Sequence, residues 1–175
     1  MSAIKKSNIQ ERIRLPSSLT LEQVRAVGER VVQQNRANAK SGLDGSGKPL
    51  PTYSTAYKES LDFKNGGKSS KVTLTLSGDM LAELSLLDYG LGFILVGYAT
   101  DNDEAAKAHG NVTGEYGQSK STGKNRPFIG VPSKQLERII AEVRSQTVSE
   151  RIGEDVKTRT AVASILARFG IGGSQ

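Results

Sequence analysis

Apolar residues recur at helical intervals in some parts of the chain and alternate with polar residues in others. Thr20 and Gln23 stand at the spacing of a capping box. Leu21, Val24, Val27 and Val31 then share one helical face, so a helix is expected over residues 20–39. Gly28 inside it costs about 1 kcal/mol relative to Ala, which implies that the helix leans on tertiary or subunit packing. Val72, Leu74 and Leu76 alternate with Thr73 and Thr75, the pattern of a half-buried strand. Ser77 is placed to cap a short helix over Met80, Leu81 and Leu84. Residues 84–87 and 93–98 flank Asp88-Tyr89-Gly90-Leu91-Gly92 and predict a hairpin with a glycine-supported turn.

Thr100 and Asp103 make a second capping pair for a short helix to about residue 108, with Asp101, Asp103 and Glu104 where a helix N-terminus favours negative charge. Phe128, Ile129 and Val131, fenced by Pro127 and Pro132, predict a last strand. Ser133 is expected to cap a helix carrying Leu136, Ile139, Ile140 and Val143. A separate stripe, Val162, Ile165, Leu166 and Phe169, repeats that spacing before Gly170, and packs either on its own subunit or on another. Tyr53, Tyr57, Leu61 and Phe63 predict a short helical turn, and loops are expected over residues 41–54, 65–71 and 110–125, rich in Gly and Lys.

These patterns describe an α+β protein: a small antiparallel β-sheet flanked by a long N-terminal helix and by C-terminal helices, with long Gly/Lys-rich loops. Along the chain they divide it into a basic N-terminal arm (1–19), an α+β core domain (20–150) and a C-terminal helical arm and tail (151–175). The first arm carries Lys5, Lys6, Arg12 and Arg14 against Glu11 alone, and is expected to order on a partner.

Composition narrows the classes. With 175 residues and 36% hydrophobic content the chain can build one modest core, which excludes a large multidomain enzyme. The absence of cysteine excludes disulfides, thiolate metal sites and cysteine nucleophiles. No apolar run approaches the roughly 20 residues that span a bilayer. The first residues lack the apolar stretch of a signal peptide, so the expectation is a soluble protein made in the cytoplasm, without a membrane partner.

The net charge of +6 is unevenly spread. Residues 72–106 contain no Lys or Arg, but hold Asp79, Glu83, Asp88, Asp101, Asp103 and Glu104. Such segregation suits contact between oppositely charged surfaces of neighbouring subunits as well as it suits nucleic acid. The basic clusters are Lys5/Lys6/Arg12/Arg14, Lys64/Lys68/Lys71 and Lys120/Lys124/Arg126. No aromatic residues are interleaved with them for base stacking, which favours a solvated or subunit-facing role over direct nucleic-acid binding.

Candidate chemistry is sparse. His109, the single histidine, has no nucleophile-elbow serine beside it. Asp101, Asp103, Glu104 and His109 could gather a metal ion, but helix capping accounts for the acids more simply. G-L-D-G-S-G-K-P at 42–49 reproduces the glycine and lysine spacing of a phosphate-binding loop. Pro49 stands where that motif needs Ser or Thr, and a helix rather than a strand precedes it, so a glycine-rich turn is expected. Neither catalysis nor a cofactor is expected.

One resemblance joins these pieces. L-T-L-S-G-D-M-L at 74–81, V-G-Y-A at 96–99, A-K-A-H-G at 106–110 and R-P-F-I-G-V at 126–131 resemble, in order, the phage virion morphogenesis family of tail-completion and neck proteins. G-L-D-G-S-G-K-P-L-P-T-Y-S-T-A-Y-K at 42–58 is similar to that family's passage of glycine, acidic residue, Gly-Lys-x-Leu and tyrosines. The resemblance covers about residues 20–143. Where the family has histidine-x-x-Gly, Gly110 follows His109 directly, so no role is carried to either.

The resemblance implies a structural virion protein of a tailed bacteriophage, forming a ring at the head-to-tail junction or the tail end. It implies a homo-oligomeric ring, expected to be six-fold, beside tail tube, tail terminator or connector proteins, with transient proximity to DNA in a channel. The expected location is the virion, and the host cytoplasm during assembly. Partner-interface candidates are the acids Asp79, Glu83, Asp101 and Asp103, the bases Lys120, Lys124 and Arg126, and the stripe Val162, Ile165, Leu166 and Phe169. The alternative is a basic nucleic-acid-binding accessory protein.

Overall fold

The structure is a computed structural model and describes residues 9–53, 55–65, 72, 74, 79–99, 103–114 and 125–168. Its described elements run β1 (Gln10–Arg14), α1 (Leu21–Lys40), α2 (Thr55–Glu59), α3 (Leu61–Asn65), α4 (Asp79–Glu83), β2 (Ser85–Gly90), β3 (Phe93–Gly97), α5 (Asp103–Thr113) and α6 (Ser133–Arg168). The class is α+β, as the periodicity predicts, with a three-stranded antiparallel sheet ordered β1-β3-β2.

Helix α1 begins where its sequence signal lies. The Thr20 hydroxyl accepts from the Gln23 N–H at 3.2 Å, and the Gln23 side chain accepts from the Thr20 N–H at 3.1 Å. This reciprocal cap satisfies two donors that a helix start leaves without intrahelical partners. Val24, Val27 and Val31 on its inner face are fully buried against β2 and β3. A Cβ at Gly28 would stand 2.7 Å from the Leu86 Cδ1, so glycine here lets the helix and the sheet approach closely. The propensity cost in the helix is thus offset by packing.

The hairpin turns more tightly than its glycines suggest. Asp88, Tyr89 and Gly90 extend β2, and Leu91-Gly92 alone make the turn, with Gly92 at φ 87°. The register shifts between Leu86 and Asp88, a bulge that leaves Leu87 without a direct partner on β3.

The largest departure from the sequence reading is β1. Residues 10–14, expected within a basic arm, pair antiparallel with β3 from Gln10↔Gly97 to Arg14↔Phe93. Ile9 and Leu15, flanking the strand, are buried in the core. The pattern conceals this because an edge strand with one polar face carries a single inward apolar residue, Ile13, between charged neighbours.

A second correction concerns residues 126–131, expected as a strand. They carry no regular secondary structure and pair with no strand. Pro127 and Pro132 lack the N–H groups a ladder needs, and Gly130 adopts φ 142°. Two other partners hold the segment: the Pro127 carbonyl accepts from the Gly45 N–H at 2.8 Å, and the Asn35 Oδ1 accepts from the Gly130 N–H at 3.0 Å. Val72 and Leu74 of the predicted strand 72–76 are buried outside any strand, and the rest of that stretch lies outside the described residues, as do Ser77 and Thr100. Helix α5 continues to Thr113 rather than stopping near 108.

Helix α6 is one 36-residue element, where the sequence suggested two separate apolar stripes. The Pro132 carbonyl, not the Ser133 side chain, opens it, accepting from the Gln135 and Leu136 N–H groups at 2.9 Å. Its first turns bury Ile139, Ile140 and Val143 and pack against α1. Arg30 of α1 donates to the Glu142 Oε2 at 2.9 Å and to Gln146, and Arg144 donates to the Ser18 Oγ at 2.8 Å.

Candidate partner-facing surfaces

Two surfaces stand out because the described elements leave them uncovered. The first is the far side of the sheet. Leu86, Ile94 and Val96 face α1, so the alternation of β3 turns Phe93 and Leu95 to the other side. Register places Arg12 beside Leu95 and Arg14 beside Phe93 on that face. The Arg12 guanidinium lies 3.9 Å from the Phe93 ring centroid, an attraction between cation and ring quadrupole. Arg12 and Arg14 are exposed, Phe93 and Leu95 half-buried, and no described helix packs against this face as α1 does against the other.

The second surface is the distal half of α6. Every described side chain from Val148 to Ser164 is exposed, including Val148, Ile152, Val156 and Val162, each about half exposed or more. At 1.5 Å per residue, residues 148–168 project roughly 30 Å beyond the last side chains that α6 buries. A helix of this length is marginal alone in water, and a row of exposed aliphatic residues marks where packing against another chain would support it.

The interface candidates from sequence divide accordingly. Val162 lies on the exposed half of α6, so the stripe is not part of the subunit's core at that position. Ile165 and Leu166 lie in the same helix, and their side chains are outside the described set, as is all of Phe169. Glu83 ends α4 and Asp103 begins α5, both exposed; Asp79 begins α4 with its side chain undescribed; Asp101, Lys120 and Lys124 lie outside the described residues.

Arg126 is a correction, because it is 7% exposed and serves the subunit itself. Its Nε points to the Pro51 carbonyl at 3.5 Å, and its guanidinium lies 5.4 Å from the Tyr53 ring centroid. A long side chain from a loop has been drawn inward, where the backbone carbonyl and the aromatic face supply what water would have supplied.

The loop at 42–50 is also built for the fold. The Asp44 Oδ1 accepts from the Ser46 N–H at 2.8 Å, the Ser46 hydroxyl at 2.7 Å and the Lys48 N–H at 2.8 Å. Donors that a phosphate-binding loop would offer to an anion are therefore taken by the loop's own carboxylate. Burial opposes the charge, but these hydrogen bonds outweigh it and hold the Asp44 carboxyl below its ordinary value.

Beneath α4, the Tyr98 hydroxyl donates to the Met80 carbonyl at 2.7 Å. Burial, reinforced by the negative charge of Glu104, pushes this phenol well above its usual range. Arg36 of α1 caps the end of α4, donating to the Ala82 and Leu84 carbonyls at 2.8 and 2.7 Å. His109 is half-buried on α5, its carbonyl accepting from the Thr113 hydroxyl. Among the described residues no three His, Asp or Glu side chains are placed to hold a metal ion, and no helix is long and apolar enough to cross a membrane. No family model, curated protein or solved structure matches the chain.

Proposed function

We infer that the chain is a structural subunit of a tailed-bacteriophage virion, assembling as a homo-oligomeric ring at the neck or tail end as a tail-completion or connector component. The observation that carries its assembly is α6, whose described side chains from Val148 to Ser164 are all exposed, Val148, Ile152, Val156 and Val162 among them. The virion assignment rests on the ordered motifs at 42–58, 74–81, 96–99, 106–110 and 126–131. The buried polar residues Asn35, Asn38 and Arg126 bond within the subunit, which suits a scaffold better than a reaction site.

In the ring, the acidic surface of one copy faces a basic surface of the next. Exposed Glu83, Asp88 and Asp103 stand on the first, and exposed Arg12 and Arg14 on the sheet face of the second. Such heterologous contacts close into rings when their rotation permits. Tail tube, tail terminator or connector proteins are the neighbours, with DNA passing transiently through the channel. The protein resides in the virion, after assembly in the host cytoplasm.

Light scattering of the purified chain at low and high salt, with and without double-stranded DNA, tests this reading. A closed oligomer that loosens as salt rises supports it, since exposed charge pairs are screened over about 8 Å at physiological ionic strength. A salt-indifferent ring removes the charge pairing. Mass gained only with DNA, and lost with salt, replaces it with the nucleic-acid-binding reading, for which the exposed Arg12 and Arg14 of the sheet face are the evidence.

A further inference from the structure

The distal half of α6 carries a row with its own symmetry. Val148, Ile152, Asp155, Arg159 and Val162 follow one another at alternating steps of four and three residues, and Leu166 takes the next step in sequence. That is the seam spacing of a coiled coil. The five side chains from Val148 to Val162 are all exposed. On an ideal helix Glu150, Glu154 and Lys157 fall off the seam, while Val156 and Thr158 border it. Counted from residue 157, Val148 and Leu166 stand nine positions away, Ile152 and Val162 five, and Asp155 and Arg159 two. Reversing the chain direction therefore maps aliphatic onto aliphatic and acid onto base.

We propose that this half of α6 pairs with the same half of a second copy as an antiparallel two-helix coiled coil centred on residue 157, with Asp155 of each copy opposite Arg159 of the other. Charge selects both orientation and register. A parallel pair would set Asp155 against Asp155 and Arg159 against Arg159, like charges forced together as water leaves the seam. A slip of one heptad would set Asp155 opposite Ile152 or Leu166, leaving a charge against an aliphatic side chain. Only the reversed, centred alignment satisfies both charges and stacks Ile152 on Val162 while bringing position 166 level with Val148 in register. The charged layer lowers the strength of the seam while making its geometry unique, as a buried polar pair does in other coiled coils. This two-fold contact differs from the heterologous contacts that close a ring. It draws on the same exposed half of α6 that supports assembly, and the charge-reversal pair at 155 and 159 tests it separately from the virion reading.

Sedimentation equilibrium of the full chain tests the pairing through charge reversal. Asp155→Arg and Arg159→Asp should each weaken self-association about tenfold or more, and the combined exchange should restore it to within about threefold, because the symmetric layer is then rebuilt with its signs swapped. Circular dichroism on each variant verifies that the helix is retained. Equal weakening in the single and combined variants overturns the proposal, as does a wild-type chain that stays monomeric up to about 0.1 mM. Orientation has a separate readout, since the chain contains no cysteine. Ile152→Cys and Val162→Cys proteins should form a disulfide when mixed under oxidising conditions and not when either is alone. A disulfide formed by Ile152→Cys alone reports a parallel pair and overturns the orientation.

Discussion

Asp44 and Gly45 sit side by side and hold the same loop by different means. The folded state keeps the Asp44 carboxyl below its ordinary value of 3.8, so its contribution is present above the unfolded value and is lost as pH falls through the folded one. Asp44→Asn should therefore lower the urea midpoint near neutral pH. The gap to the wild type should narrow as pH falls below the unfolded value and through the depressed folded one, where both chains become uncharged at this position. A constant gap across that range would show that shape rather than charge holds the loop. Gly45 is needed for space: a Cβ there would stand 2.6 Å from the carbonyl carbon and oxygen of Ile129, which are backbone atoms and cannot rotate away. Gly45→Ala should destabilise the fold by about 2–3 kcal/mol in chemical denaturation. The sequence marked these residues as a glycine-rich turn, which they are. It carried no sign that the turn lies against residues 127–130, because that approach joins positions more than 80 apart.

At the scale of elements, β1 and α6 moved furthest from expectation. Residues 10–14 have the composition of a solvated leader, yet their backbone completes one side of β3. Removing residues 1–14 should then cost about 3 kcal/mol or more, through lost burial of Ile9 and Ile13 and an unpaired edge on the central strand. A truncated chain as stable as the whole would restore the leader reading. The converse holds for α6. Ile152→Asp with Val162→Asp alters two exposed positions, so the thermal midpoint of the subunit should change by no more than a few degrees while the two-fold pairing through α6 is abolished. If those substitutions unfold the subunit instead, the distal helix is part of its core. Helical periodicity revealed both apolar stretches of α6, but the two rows lie on different faces. Their phase alone does not say which meets the subunit and which faces away; that is settled by where α1 lies.

At the scale of the whole molecule, the excess of positive charge is less informative than its placement. Arg12 and Arg14 share the sheet face opposite α1 and are exposed, while Arg126 is enclosed. Arg12→Glu with Arg14→Glu should preserve the fold, since both side chains are exposed, and should weaken any ring closed by acidic-to-basic contact in a salt-dependent way. Gel filtration at two ionic strengths would detect this, and an unchanged oligomer would remove the sheet face from the contact.

Spacing along the chain is enough for the local part: the capped start of α1, the β2–β3 hairpin, the short turns at 55–65 and the apolar face of early α6. In each, the interacting residues lie within one helical turn or across a two-residue reversal, so spacing alone encodes them. The remainder is non-local and emerges with packing: the pairing of residues 10–14 with 93–97, the inward turn of Arg126 onto Tyr53, the anchoring of 127–130 on Asn35 and Gly45, and the exposure of α6 after Thr147. Those contacts depend on where distant backbone donors and acceptors arrive once α1 and the sheet have packed, and no periodicity along the chain carries that information.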